Sequence, residues 1–152
     1  MRYNSSNFKL NTDSFVFKYK EAGPKSVKFT EEHEWVAFHK DDSAFLGITQ
    51  YASEALGEAT FIELPEVGTT VEVGESIGSV ESVKSASEIY SPVTGEVVAV
   101  NENFESSPQL INDDPMGDGW IAQIKLSEPV EQAETQESLL TEEQYEESLE
   151  DN

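Results

Sequence analysis

Lys84 is the residue whose type and setting could do chemistry. It stands within residues 78–91, Gly-Ser-Val-Glu-Ser-Val-Lys-Ser-Ala-Ser-Glu-Ile-Tyr-Ser. Apolar-containing runs flank it at 77–83 and 89–93, and Ser82, Ser85, Ala86 and Ser87 around it are all small. Short strands meeting through small polar residues predict a hairpin with Lys84 near its tip. No neighbour is bulky enough to shield the amine, so another protein could grip it. On spacing alone, an exposed lysine on a turn reads as a solvated charge. Its isolation argues for more. Beyond Lys28 the basic residues are Lys40, Lys84 and Lys125, set among all of the chain's 31 Asp and Glu except Asp13 and Glu21.

Little else in the chain suggests chemistry. There is no cysteine, which excludes disulfides, thiolate metal sites and cysteine nucleophiles. Any thiol chemistry would have to come from a bound cofactor. The two histidines, His33 and His39, have no partner at ligand spacing and read as surface or packing residues. The acids of 112–119 lack the alternating oxygen ligands and terminal glutamate of a calcium loop, so this stretch reads as a turn cluster. No metal site is expected, nor is a Ser/His/Asp order or a Gly-rich phosphate loop visible.

The elements that must position Lys84 are short strands. Residues 35–38 and 44–49 form a first hairpin around the turn Asp41-Asp42-Ser43. Residues 50–56 form two helical turns, with Tyr51, Ala52, Ala55 and Leu56 on one face and Gly57 as the stop. Strands follow at 59–64, 71–73, 77–82, 88–91 and 96–100, and a closing strand at 120–126. Between the last two, 101–111 reads as irregular. Val73-Gly74-Glu75 and Thr94-Gly95-Glu96 form a weak repeat on either side of Lys84, which suits two similar halves. A short helix is expected within 131–140. A second begins at Thr141, whose spacing to Gln144 is that of a capping box, with Tyr145 and Leu149 on one face. Strands this short, punctuated by Gly and Pro, make the chain mainly β, a barrel or sandwich.

The chain's 152 residues suit one domain. Residues 1–28 carry six of the nine bases and read as an arm or the remnant of a mitochondrial transit segment, outside the fold. Residues 29–152 form the domain. Its acidity disfavours nucleic acid and anionic membranes and favours partners with basic docking faces. No apolar run approaches the ~20 residues that span a bilayer.

Glu81-Ser82-Val83-Lys84-Ser85-Ala86-Ser87-Glu88 resembles the lipoylation site of the glycine cleavage system H protein family. His33-Glu34-Trp35, the run 47–57, Asn112-Asp113-Asp114-Pro115 and Gly119-Trp120-Ile121 resemble that family in the same order. The likeness extends from Phe29 to about Leu149. It implies a lipoyl-type flattened β-barrel (a barrel-sandwich hybrid) with a short internal helix and C-terminal helices. It implies lipoic acid in amide linkage on Lys84, with Glu34 and Glu88 near the cleft that receives the loaded arm. It implies a monomeric shuttle of the mitochondrial matrix, not an enzyme in its own right. Its partners would be a pyridoxal-phosphate glycine decarboxylase, a tetrahydrofolate-dependent aminomethyltransferase, an FAD-containing dihydrolipoamide dehydrogenase and a lipoate-attaching enzyme. A biotin carrier is disfavoured because Val83 and Ser85, not methionines, flank the lysine. Two other readings rank below the shuttle: a lipoate-relay protein, and an unmodified acidic interaction domain.

Overall fold

The structure is a computed structural model that describes residues 14, 16 and 23–150. Most of the basic arm therefore lies outside the described residues. Among these, two antiparallel sheets face each other. The larger runs β1 (Ser26–Phe29), β2 (Glu34–His39), β3 (Ser43–Ile48), β9 (Ala122–Leu126), β8 (Gly95–Val100) and β5 (Thr70–Val71), in that spatial order. The smaller runs β4 (Ala59–Glu63), β6 (Ser76–Ser82) and β7 (Ala86–Tyr90). Among the described residues the sheets are accompanied by α1 (Gln50–Leu56), α2 (Leu110–Asp113), α3 (Val130–Ala133) and α4 (Glu142–Glu150). The structure agrees with the expected barrel-sandwich of short strands.

Both faces of β2 are covered, so all six of its residues are buried. Val36 and Phe38 point between the sheets, where they join Ile62, Val80 and Ile89 of the small sheet. Trp35 and Ala37 point the other way, into a second cluster closed by Tyr145 and Leu149 of α4. Strand alternation sorts the two sets. The shared face expected for Tyr145 and Leu149 is thus the docking face of α4.

Several elements differ from their sequence reading. The first strand starts at Ser26, because Lys28 and Val27 pair with Val36 and Ala37 along the free edge of β2. Residues 101–111 are not wholly irregular: a 3-10 turn spans Glu102–Glu105, capped by the Asn101 side chain, and α2 begins at Leu110. Of the helix expected within 131–140, one turn forms at Val130–Ala133. Leu140 instead exchanges backbone hydrogen bonds with Phe29, extending the sheet edge. The closing strand starts at Ala122, after Trp120 has turned onto Phe45.

One glycine contact ties together motifs that are distant in the sequence. Trp35 lies opposite Gly47 on the neighbouring strand, and a Cβ at Gly47 would sit 2.7 Å from the indole nitrogen. The indole N–H is thereby aimed at the carbonyl of Pro115, 2.8 Å away. His33-Glu34-Trp35, Gly47 and Pro115 are distant in sequence and form one packing unit.

Candidate functional site

Lys84 occupies the tip between β6 and β7, and its side chain is exposed. Ser82 builds the turn. Its hydroxyl oxygen accepts the N–H groups of Lys84 (3.2 Å) and Ser85 (3.1 Å) and donates to the Ser85 carbonyl. A small hydroxyl residue before the lysine thus satisfies backbone groups that a tight tip leaves open. The tip is also tied down laterally, as Val83 N–H donates to the Glu58 carbonyl. The lysine stem lies over Gly57, where a Cβ would come within 3.3 Å of Lys84 Cε.

Gly57 has φ 78° and ψ −160°. This is an extended conformation that side chains essentially exclude, not the left-handed helical turn expected from sequence. Asn112 holds the junction. Its Oδ1 accepts the Ala59 N–H and its Nδ2 donates to the Gly57 carbonyl, each at 2.8 Å. The stretch read as a turn cluster therefore begins with a side chain that fixes the ground beneath the lysine.

Beside the tip lies a cleft of about 260 Å³. One wall is Tyr51, Ala52, Ala55 and Leu56 of α1 together with His33; the other is the run from Ser85 to Ile89. The apolar face of α1 read from sequence therefore faces this cleft, and Ser53 is its buried residue. Thr49 caps the helix by accepting the Ala52 N–H.

The structure brings Glu34 and Glu88 to this one cleft. Glu34 is 3% exposed, at the end of β2. Its Oε1 accepts from the Thr30 hydroxyl (2.6 Å) and its Oε2 from Tyr90 N–H (3.3 Å). β7 is the edge of the small sheet, and by taking up this N–H the glutamate of β2 joins the two sheets. Burial pushes the Glu34 carboxyl above its ordinary range; the Thr30 and Tyr90 donors oppose that shift, and the nearby Glu32 charge adds to it. Glu88 is exposed and accepts from the Ser76 hydroxyl.

His33, read from sequence as a surface or packing residue, lines the cleft. Its φ of 71° is uncommon for a non-glycine residue. The ring packs on Tyr51 with centroids 4.5 Å apart, and its Nδ1 meets the Tyr145 hydroxyl at 2.7 Å. Burial lowers its basicity, opposed by Glu32. Periodicity could not reveal this role, since His33 lies in the bend before β2, outside the strand's alternation. A larger hollow of about 420 Å³ shares Glu34 but is lined by no residue of the hairpin tip.

The family model for the glycine cleavage H-protein matches residues 27–152. The chain belongs to the glycine cleavage H-protein family. A mitochondrial glycine cleavage system H protein of Saccharomyces cerevisiae is 53% identical over 146 residues, 96% of this chain and 85% of that protein. The glycine cleavage system H protein of Listeria innocua is 53% identical over 83% of this chain and 97% of its own length. A crystal structure of the H protein from Mycobacterium marinum superposes with a TM-score of 0.72 at 36% identity, covering 82% of this chain and 97% of that one. H proteins are carrier components, which agrees with the non-enzymatic reading of the sequence. Among the described residues no group of His, Asp and Glu is arranged to hold a metal ion, and no helix is long and apolar enough to cross a membrane.

Proposed function

We propose that Lys84 carries lipoic acid in amide linkage and that the chain shuttles intermediates of the glycine cleavage system. The observation that carries this reading is an exposed lysine at a braced hairpin tip beside a narrow cleft. The residues fit such a group. Ile48, Ala52, Ala55, Leu56 and Ile89 offer apolar surface for an aliphatic stem and small ring, and Gly57 leaves room for the lysine methylenes. When bound, the lipoyl group supplies a disulfide that takes up an aminomethyl cargo and later returns two electrons as a dithiol.

The chain's own residues bind and shelter. Amide formation removes the Lys84 charge, so the arm can lie against apolar walls without burying a cation. Glu34 and Glu88 are the proposed docking residues for a protonated aminomethyl cargo, and the α1 wall keeps water away. The proposed partners are glycine decarboxylase with pyridoxal phosphate, aminomethyltransferase with tetrahydrofolate, dihydrolipoamide dehydrogenase with FAD, and the enzyme that attaches lipoate. Tethering raises the local concentration of cargo at each of these sites in turn. The mitochondrial matrix is the proposed compartment, supported by the name of the yeast relative and the bases of the first 28 residues.

A tryptic mass map of protein from its native source tests this reading. Trypsin needs a free lysine, and no basic residue lies between Lys40 and Lys84 or between Lys84 and Lys125. A single peptide 41–125, heavier by one lipoyl group, is expected. Peptides 41–84 and 85–125 without added mass would instead favour an unmodified interaction domain. The docking role is tested separately: if Glu34→Gln with Glu88→Gln leaves the loaded arm as long-lived as before, these residues do not hold it.

A further inference from the structure

The cleft wall has a support that comes from the far end of the chain. Tyr145, on α4, is fully buried and stacks on Phe29 with ring centroids 5.0 Å apart. Its hydroxyl passes between two elements of the cleft. It meets His33 Nδ1 at 2.7 Å and Thr49 Oγ1 at 2.8 Å. That Thr49 oxygen is also the cap of α1, accepting the Ala52 N–H at 3.3 Å. The backbones are joined as well, with Thr49 N–H donating to the His33 carbonyl at 2.9 Å.

We propose that Tyr145 is a positioning residue of the arm cleft: its hydroxyl locks the His33 imidazole against the N-terminus of α1, so that the C-terminal helix sets the shape of a wall it does not itself line. The proposal rests on the reading of this cleft as the arm's docking site. Whichever way the protons run along the chain Thr49, Tyr145 and His33, Nδ1 is occupied by Tyr145. Nε2 is left to meet an occupant of the cleft. The carboxylates of Glu32, Glu34 and Glu88 share the same lining, and the Glu32 charge acts on the ring. A neutral imidazole held among them adds a polar atom without a second cation to repel a protonated cargo. Apolar packing alone would dock α4 equally well with phenylalanine at 145, which makes the hydroxyl a distinct feature.

The test uses the full lipoylated chain in three forms: wild type, Tyr145→Phe and Leu149→Ala. Leu149 packs in the same cluster but has no hydroxyl, so it reports loosening of α4 alone. Ring nitrogen NMR follows the His33 titration, and the decay of the aminomethyl-loaded form follows shelter. Tyr145→Phe is expected to shift the His33 titration and to speed decay about fivefold, the worth of one net hydrogen bond. Leu149→Ala, which keeps the hydroxyl, is expected to leave the His33 titration unshifted and to speed decay less than Tyr145→Phe does. Equal acceleration in both variants would mean a purely structural role and would overturn the proposal. So would an unchanged decay in Tyr145→Phe, whatever the titration does. Wild-type protein that loses its cargo as fast as free aminomethyl-dihydrolipoamide would sink the docking reading itself, and this inference with it.

Discussion

Glu34 does two jobs at one position, and they can be separated. Its carboxylate accepts from Thr30 and from the edge N–H of Tyr90, so it joins the sheets as well as lining the cleft. Glu34→Ala strands both donors and is expected to cost about 1–3 kcal/mol in denaturant unfolding. Glu34→Gln keeps an acceptor for Tyr90 and is expected to cost less than that. The two also differ in pH dependence. Burial raises the Glu34 carboxyl above its ordinary 4.5, so above 4.5 and up to the raised value the folded chain binds more protons than the unfolded one. Stability therefore falls as pH rises through that window and levels off beyond it. Urea unfolding of Glu34→Gln as pH is raised from 4.5 should lack this contribution. An identical slope in both proteins would exclude Glu34 as its source.

At the scale of elements, α1 and the lysine hairpin meet at Gly57. A side chain there has to adopt φ 78° with ψ −160° and to share space with the Lys84 stem. Gly57→Ala is expected to cost roughly 1–3 kcal/mol from backbone strain. It should also displace the lysine, visible as a changed chemical shift at Lys84 Cε. The tip itself depends on one hydroxyl. Ser82→Ala removes the acceptor for the N–H groups of Lys84 and Ser85. Hydrogen exchange at those two amides should accelerate while β6 and β7 amides away from the tip keep their wild-type rates. Acceleration along both strands would show that the hydroxyl supports the whole hairpin.

The whole molecule responds to pH through its histidines and to salt through its charge. Burial lowers both His33 and His39 below the ordinary 6.5. Their folded pKa values are depressed, so the stability they contribute is complete above 6.5 and is lost as pH falls through the folded values. Thermal unfolding scanned downward from pH 6.5 should show Tm dropping, the opposite slope to that of Glu34. The net charge of −22 makes the compact chain self-repelling. Raising salt from ~10 mM to ~1 M shortens the screening length from about 30 Å to about 3 Å, and Tm should rise with it. A flat response would mean that the acids are already spaced widely enough to ignore one another.

Local sequence pattern was enough to mark most of the elements and to single out Lys84. Alternation and turn residues are local properties, and they marked the hairpin around Lys84, helix 50–56 and the capping box at Thr141. The isolation of Lys84 among acids was equally legible. What surrounds the lysine was decided by tertiary structure. His33 lines the cleft from the bend before β2, where its φ is positive. Asn112 fixes Gly57 and Ala59 from more than fifty residues away in the chain. Tyr145 reads as a packing residue on its helix, and its hydroxyl has meaning once α4 lies across β1 and reaches His33 and Thr49. Hydrogen bonds between distant residues leave no period in a sequence. They arise when apolar burial has already brought the elements together, and such bonds brace the walls of the cleft.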